Sequence, residues 1–288
     1  MNVYSPLRYP GGKRRIAPYL KKILKDNQLC DGVYVEPYAG GASVALSLLL
    51  DGYVSKIIIN DVDQSVYAFW WSVLNETNEF CKLIEETPVT IPNWKEQAAR
   101  QRNKQKCSLI ELGFSTFFLN RTNRSGILSA GVIGGITQDG QWKIDSRYNK
   151  IELIERIQRI ARHKKQIELR NSDALELIKS IKKSLPEKSI IYMDPPYYVK
   201  GSALYLNYYK DRDHKQIFED LQLLENIHWI LTYDNVEVIR NLYKNFRQEK
   251  YNLRYTASRS VVGQELMIFS DRLKVVKPLR RFEKGGHL

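Results

Sequence analysis

The chain has 288 residues, of which 43% are hydrophobic and 27% are charged, so it is long enough to bury the core of one large domain or of two smaller ones. Its 45 Lys and Arg residues outnumber 32 Asp and Glu residues, and the formal net charge is +13. Such a charge favours polyanionic partners, because each neutralised phosphate releases condensed counterions. A basic excess also keeps a protein in solution, so charge alone leaves both interpretations open.

The cysteines, the histidines and the apolar stretches exclude several classes of protein. Three scattered cysteines without CxxC spacing, beside four histidines, predict no zinc site and favour free thiols in a reducing cytosol. The first residues lack the apolar core of a signal peptide. The longest aliphatic stretch, Val44 to Leu50, is far shorter than the ~20 residues of a membrane-spanning helix. We therefore expect a cytoplasmic protein without a metal centre or a membrane span.

Strands and helices alternate in the first and last parts of the chain. Helices are predicted from Arg14 onward and at Val44–Leu50, Ala174–Ser184 and His214–Leu224. Strands are predicted at Val33–Val35, Lys56–Ile59, Gln166–Arg170, Ser189–Met193 and Trp229–Tyr233, with a late hairpin of Asn252–Ala257 and Glu265–Phe269. This alternation predicts a parallel sheet with crossover helices, closed by an antiparallel pair.

Residues 76–165 interrupt this rhythm. They contain a basic run, an apolar helix at Leu109–Leu119 and a polar loop at Asn120–Gly126. Gly-rich, β-like pieces with a hairpin turn at Asp139-Gly140 follow, and then a helix patterned on Ile151 to Ile160. We interpret 76–165 as an inserted domain, 1–75 with 166–275 as the main domain, and 276–288 as a tail.

The most informative motif is Asp194-Pro195-Pro196-Tyr197, directly after the strand Ser189–Met193. Open parallel sheets bind ligands at the carboxyl ends of their strands. The two prolines have fixed φ angles and no N–H groups, so their carbonyls are rigidly aimed. A carboxylate, such a carbonyl and an aromatic plane can hold a planar amino group by both hydrogens and favour positive charge on its nitrogen. The alternative is that the prolines only end the strand.

Two further segments indicate a nucleoside-containing cofactor. Glu36 to Ser43 is a Gly-rich turn between a strand and a helix, where a ligand can approach the backbone closely. Asp61 ends the next strand, the usual position of an acid that binds ribose hydroxyls. These features do not separate a dinucleotide from S-adenosylmethionine, although the strict GxGxxG pattern is missing. Tyr9 to Lys13, taken alone, is a turn with a surface lysine.

Four motifs in this order resemble a known family. They are RYPGGK at Arg8–Lys13, VEPYAGGASV at Val35–Val44, NDVD at Asn60–Asp63 and DPPY at Asp194–Tyr197. Together they resemble the Dam-type, or D12 class, adenine-N6 DNA methyltransferases. The similarity covers most of the chain, and FLNRTNRSGIL at Phe118–Leu128 looks like the family's target-recognition loop. Tyr9 stands where the family often has tryptophan, and Ala42 replaces the last glycine of its loop.

The resemblance implies a fold, a cofactor and site residues. The implied fold is an α/β, Rossmann-like S-adenosylmethionine-dependent methyltransferase fold, with a mostly parallel seven-stranded sheet and an inserted target-recognition domain. The catalytic residues would be Asp194, Pro195, Pro196 and Tyr197. The cofactor-binding residues would be Tyr9, Pro10, Gly11, Lys13, Glu36, Pro37, Tyr38, Gly40, Asp61, Asp173 and Asp194. DNA would be bound by Asn120, Arg121, Asn123, Arg124 and Ser125, whose groups suit base edges and phosphates.

The implied reaction is transfer of a methyl group from S-adenosylmethionine to N6 of an adenine flipped out of double-stranded DNA, by a monomer. An RNA adenine methyltransferase, a catalytically silent DNA-binding module and, more remotely, a cytosine-N4 enzyme or a dinucleotide-dependent oxidoreductase stay open. So does a cognate restriction endonuclease as partner. Tyr198, Tyr205, Tyr208 and Tyr209 form either a lid over the base or semi-buried packing.

Overall fold

A seven-stranded sheet organises the computed structural model, which describes residues 3–9, 13–198, 209–256 and 260–275. The strands are β1 (Gly32–Glu36), β2 (Val54–Asn60), β3 (Ile167–Arg170), β4 (Ser189–Met193), β5 (His228–Asp234), β6 (Arg247–Thr256) and β7 (Ser260–Phe269). Their order is β3-β2-β1-β4-β5-β7-β6; β1 to β5 are parallel, and β7 is antiparallel to both β5 and β6. The mostly parallel, Rossmann-like α/β sheet is confirmed. The predicted tail, 276–288, lies outside the described residues.

Helices cover both faces of the sheet. They are α1 (Ala17–Asp26), α2 (Ser43–Leu50), α3 (Gln64–Asn75), α4 (Thr77–Glu86), α5 (Ile91–Arg102), α6 (Leu109–Thr122), α7 (Lys150–Ala161), α8 (Ala174–Ile181), α9 (Asp211–Gln222) and α10 (Glu237–Leu242). Alternate strand residues face opposite layers: Tyr34 packs in the cluster with α1 to α4, α6 and α7, and its neighbour Val35 packs in the cluster with α8 to α10. Burial on both faces explains why the central strands are continuous apolar runs.

The helices of the central segment share a core with the rest of the chain. Phe80 of α4, Phe117 of α6 and Leu153 of α7 belong to the same buried cluster as Tyr34. Phe117 also stacks on Phe69 of α3, with ring centroids 6.2 Å apart and ring planes within 6°. The helices of the central segment therefore pack directly on the layer formed by α3. The division into a main domain and an inserted domain at 76–165 stays a prediction.

Two predictions for this segment were wrong. The Gly-rich pieces around Asp139-Gly140 form turns and one isolated antiparallel bridge between Asn123 and Val132, instead of a β-hairpin. Successive positive φ angles at Gly134 and Gly135, 85° and 79°, interrupt any extended run. The polar loop also begins later than predicted, because α6 continues to Thr122 and includes Asn120. Propensity does not show where such a helix ends, because tertiary contacts decide it.

Candidate active site

The sheet order determines where a site can form. β1 and β4 are neighbours, but the chain leaves β1 toward β2 and β3 on one side and leaves β4 toward β5 on the other. This is the topological switch point, where open α/β sheets bind ligands beyond the carboxyl ends of their strands. Glu36 ends β1, and Asp194 follows β4, so both motifs singled out in the sequence lie at this point.

The turn after β1 is tied to the end of β2. The N–H of Gly40 donates to Asp61 Oδ2 at 2.9 Å, and the N–H of Asp63 donates to Asp61 Oδ1 at 2.9 Å. Burial raises the pKa of Asp61 to about 6, although these two N–H groups act in the opposite direction. Gly40 has a φ of 46°, and a Cβ atom there would lie 2.5 Å from Cζ of Tyr9. The structure thus brings Tyr9, Gly40 and Asp61 together.

Glu36 and the residues after it have internal partners. The N–H of Ala45, in the first turn of α2, donates to Glu36 Oε2 at 3.1 Å. Burial raises the pKa of Glu36 to about 8; the Ala45 N–H opposes this shift, and the charge of Asp194 adds to it. The carbonyl of Pro37 accepts from Asn60 Nδ2 at 2.9 Å, and the hydroxyl oxygens of Tyr38 and Tyr209 are 3.2 Å apart. Glu36 therefore caps α2 with its own carboxyl group.

Asp194 is half-buried and lies in a cluster of charges with Lys13 and Glu265. Its Oδ1 is 2.8 Å from Lys13 Nζ and accepts from the Thr232 hydroxyl at 2.8 Å. Burial raises the pKa of Asp194, Lys13 opposes that shift, and the negative charge of Glu265 adds to it. Pro195 is buried and Pro196 is half-buried. The hydroxyl of Tyr197 donates to Glu265, and its ring centroid lies 4.9 Å from Lys13 Nζ.

Glu265 was missed in the sequence analysis. It lies on β7 with 1% of its surface exposed, and its Oε2 is 2.9 Å from Lys13 Nζ and also accepts from the Tyr251 hydroxyl. Burial opposes the protonation of Lys13, but the carboxylates of Asp194 and Glu265 raise its pKa well above the usual value. The available signal was a single acidic residue before the apolar run Leu266 to Phe269.

Asp173 has a local partner. It is exposed at the start of α8, where its Oδ1 accepts from the N–H groups of Leu175 and Glu176 at 2.8 and 3.3 Å. This is a helix N-cap, for which aspartate is a preferred residue. Its predicted contact with a cofactor stays a prediction. Pro10 and Gly11, also predicted to bind the cofactor, lie outside the described residues.

The five residues predicted to bind DNA divide into two sets. Asn120 and Asn123 are buried, and their amide groups form internal hydrogen bonds, so the structure places them beneath the loop and not on its surface. Arg121 donates to the carbonyls of Arg147 and Pro6. Arg124 is exposed and Ser125 is half-buried. An amide side chain in a polar sequence does not show whether it faces solvent or the interior.

The aromatic residues after the proline pair are packed where the structure describes them. The rings of Tyr198 and Tyr209 lie 5.1 and 5.7 Å from that of the buried His214. His214 Nδ1 is 2.8 Å from the Tyr233 hydroxyl. These contacts favour semi-buried packing for Tyr198 and Tyr209; Tyr205 and Tyr208 lie outside the described residues.

Within residues 3–9, 13–198, 209–256 and 260–275, there is no group of three or more His, Cys, Asp or Glu side chains arranged to hold a metal ion. In the same part of the chain, no helix is long and apolar enough to cross a membrane.

A parallel sheet whose switch point joins a Gly-rich turn to an Asp-Pro-Pro-Tyr strand end defines an α/β enzyme of the methyltransferase class. The profile of the D12 class N6 adenine-specific DNA methyltransferases matches residues 9–257. The chain belongs to this family. Glu265 lies beyond the matched residues.

Individual similarities are more distant. The chain is 23% identical over 214 residues to the type II methyltransferase M.MjaIII of Methanocaldococcus jannaschii, covering 68% of this chain and 70% of that protein. Among solved structures, an S-adenosylmethionine-dependent methyltransferase from Agrobacterium tumefaciens has 9% identity and a TM-score of 0.42, with 89% of this chain and 62% of that one covered. The rRNA methyltransferase AviRa of Streptomyces viridochromogenes has 11% identity and a TM-score of 0.38, with 91% and 86% covered.

Proposed function

We propose that the protein transfers a methyl group from S-adenosylmethionine to N6 of adenine in double-stranded DNA. The observation that carries this proposal is the position of the Asp194 carboxylate at the sheet's switch point, followed by two prolines and beside the Gly40 turn. Family membership supports the same reaction class.

The residues around the Gly40 turn fit a nucleoside-containing cofactor. A side chain at residue 40 would collide with the Tyr9 ring. Glycine is therefore required at this position for the backbone and the Tyr9 ring to form a cradle for the cofactor. Asp61 directly follows β2, where an acid can accept from ribose hydroxyls once it exchanges its present N–H partners. S-adenosylmethionine supplies an electrophilic methyl group when bound.

Asp194 and Pro195 would act on the target amino group. An adenine N6 nitrogen is a poor nucleophile because its lone pair is delocalised into the ring. Accepting its two hydrogens at the Asp194 carboxylate and the Pro195 carbonyl favours a pyramidal nitrogen and stabilises the positive charge that develops on it. The N6 lone pair would form the new N–C bond with the methyl group that S-adenosylmethionine would supply, leaving S-adenosylhomocysteine, and Asp194 would pass the surplus N6 proton to water. Tyr197 would stack on the base.

A group of arginines supports a polyanionic substrate. Burial, together with the positive charges of Arg8 and Arg156, lowers the pKa of Arg121 to about 10. The pKa of Arg8 is likewise lowered by burial and by Arg147. A bound phosphate offsets the repulsion between such arginines, because its negative charge lies close to their positive charges. Flipping the adenine out of the duplex costs about a few kcal/mol, and phosphate contacts hold the duplex in place while it occurs.

The test is a methyl-transfer assay with labelled S-adenosylmethionine, duplex DNA and RNA of matched composition, followed by identification of the modified nucleoside. We expect N6-methyladenine in DNA. Asp194→Ala should abolish transfer and retain DNA binding, whereas Asp271→Ala, at an exposed turn, should behave as wild type. Label in RNA alone would change the substrate, and wild-type turnover by Asp194→Ala would refute the mechanism.

A further inference from the structure

The ammonium group of Lys13 is shared between the half-buried carboxylate of Asp194 and the buried carboxylate of Glu265. Its Nζ lies 2.8 Å from Asp194 Oδ1 and 2.9 Å from Glu265 Oε2. Asp194 Oδ1 is therefore engaged by a cation and by the Thr232 hydroxyl before any base arrives. A cation this close to Asp194 opposes positive charge on an adenine nitrogen bound to the same carboxylate. The proposed reaction requires this charge to be displaced or balanced.

We propose that Glu265 is a positioning residue that retains the Lys13 ammonium when the target adenine occupies Asp194. The inference rests on the proposed function and adds a residue beyond the family-matched part of the chain. On entry of the base, the N6 hydrogens replace the Lys13 contact at Asp194, while Lys13 keeps its contact with Glu265. The ammonium group thus stays neutralised inside the protein and leaves the catalytic carboxylate open to the base.

Glu265 is held firmly enough for this role. It is paired in the sheet with Asp234 of β5 on one side and with Tyr251 of β6 on the other. Its two oxygens accept from the hydroxyls of Tyr197 and Tyr251 as well as from Lys13. Lysine, by contrast, has a flexible four-carbon stem. Both carboxylates are within 3 Å of Nζ. A small movement of Lys13 alone is therefore enough to break its contact with Asp194 and retain its contact with Glu265.

The charge balance gives Glu265 a second effect. Asp194, Glu265 and protonated Lys13 together carry one net negative charge, which favours the positive charge that develops on N6. Without Glu265 the same group would be neutral, and Lys13 would have Asp194 as its remaining carboxylate. Loss of Glu265 should therefore slow the chemical step much more than it weakens cofactor binding.

The test compares Glu265→Gln, Lys13→Met and the double variant in the DNA methylation assay. Glu265→Gln should lower kcat by about 100-fold, with the Kd for S-adenosylmethionine changed by about threefold at most. The double variant should be about tenfold faster than Glu265→Gln, because the cation that occupies Asp194 is gone. Glu225→Gln, the same substitution at an exposed position, should keep kcat within about threefold of wild type.

Each other outcome has a definite meaning. If Glu265 only supports the strand, the double variant will be no faster than Glu265→Gln. That result would overturn this inference and leave the proposed function standing. Urea unfolding of each variant identifies a loss of activity that comes from loss of the fold. A wild-type protein that binds S-adenosylmethionine but methylates no nucleic acid would overturn the proposed function, and this inference with it.

Discussion

Asn120 holds the backbone of Arg8 on both sides. Its Oδ1 accepts from the Arg8 N–H at 2.7 Å, and its Nδ2 donates to the Arg8 carbonyl at 2.8 Å. The same Nδ2 donates to the Gly126 carbonyl at 2.8 Å. Arg8 precedes Tyr9, whose ring lies against Gly40, so one amide group connects the end of α6 to the proposed cofactor turn. Asn120 is thus a tether inside the protein, and its predicted contact with DNA stays a prediction.

Asn120→Ala should destabilise the fold and weaken cofactor binding together. The change leaves two backbone groups of Arg8 without their partner, and an unsatisfied buried group costs about 1–3 kcal/mol. We expect the free energy of unfolding in urea to fall by about 2 kcal/mol. Calorimetry should show weaker binding of S-adenosylmethionine, because Tyr9 is no longer held in place.

Arg124→Ala is the matched control for that variant, since Arg124 is exposed a few residues away. It should change the free energy of unfolding by no more than about 0.5 kcal/mol and leave cofactor binding unchanged. Equal stability of Asn120→Ala and Arg124→Ala would contradict the tether.

Gly40→Ala should reduce affinity for S-adenosylmethionine by about tenfold or more. The new Cβ would lie 2.5 Å from the Tyr9 ring and would also sit at a φ of 46°, where side chains are strained. The ring has to move, and the proposed cradle is lost. Isothermal titration with S-adenosylmethionine measures the effect.

Gly52→Ala separates crowding from backbone strain. Gly52 has a φ of 72°, but a Cβ atom there meets nothing within 4 Å. This variant should lose about 1 kcal/mol of stability and bind S-adenosylmethionine as wild type does. If both glycine variants bind the cofactor normally, Gly40 does not line its site.

Glu36 should make the protein less stable as the pH rises. Burial raises its pKa to about 8, whereas a glutamate in an unfolded chain titrates near 4.3. Between these values the folded protein binds a proton that the unfolded chain has released, so the free energy of unfolding falls with rising pH. The contribution of this one group is at most about 1.4 kcal/mol per pH unit between pH 5 and 8, and it levels off above pH 8.

Glu36→Gln removes this titration. Urea unfolding at pH 5, 6, 7 and 8 should show a smaller loss of stability with pH in the variant than in wild type. Glu225→Gln, the same substitution at an exposed position, should keep the wild-type slope. Identical slopes in all three proteins would mean that Glu36 is ionised throughout this range.

Arg124→Ala should weaken DNA binding about equally for all sequences and reduce the dependence of log K on log salt by about one. The exposed guanidinium in the loop after α6 would contact a phosphate. Fluorescence anisotropy over a range of salt concentrations measures both quantities. Lys22→Ala, which removes the same charge from an exposed position on α1, should keep the wild-type slope. An unchanged slope in Arg124→Ala would mean that Arg124 does not contact DNA.

Local patterns were sufficient for much of the architecture. Apolar runs and Gly or Pro residues at their ends predicted β1, β2, β3, β4 and β5 and the helix α2 nearly at their observed positions. Asp61 and Asp194 were found because an acid directly after a buried strand lies at the carboxyl edge of a parallel sheet. The helices α4 and α5 were not placed, because the central segment was interpreted from its polar and basic residues; α3, which precedes that segment, was not placed either.

The contacts of the site depend on residues that are far apart along the chain. Lys13 and Glu265 are separated by 252 positions, and Asn120 is 112 positions from Arg8. Residue type and spacing showed that strand ends carry acids, glycines and prolines, since these follow from backbone preferences over a few residues. Which acid meets Lys13, and whether an asparagine faces solvent or the interior, depends on strand pairing and helix packing, because burial and the charges nearby are properties of the folded chain.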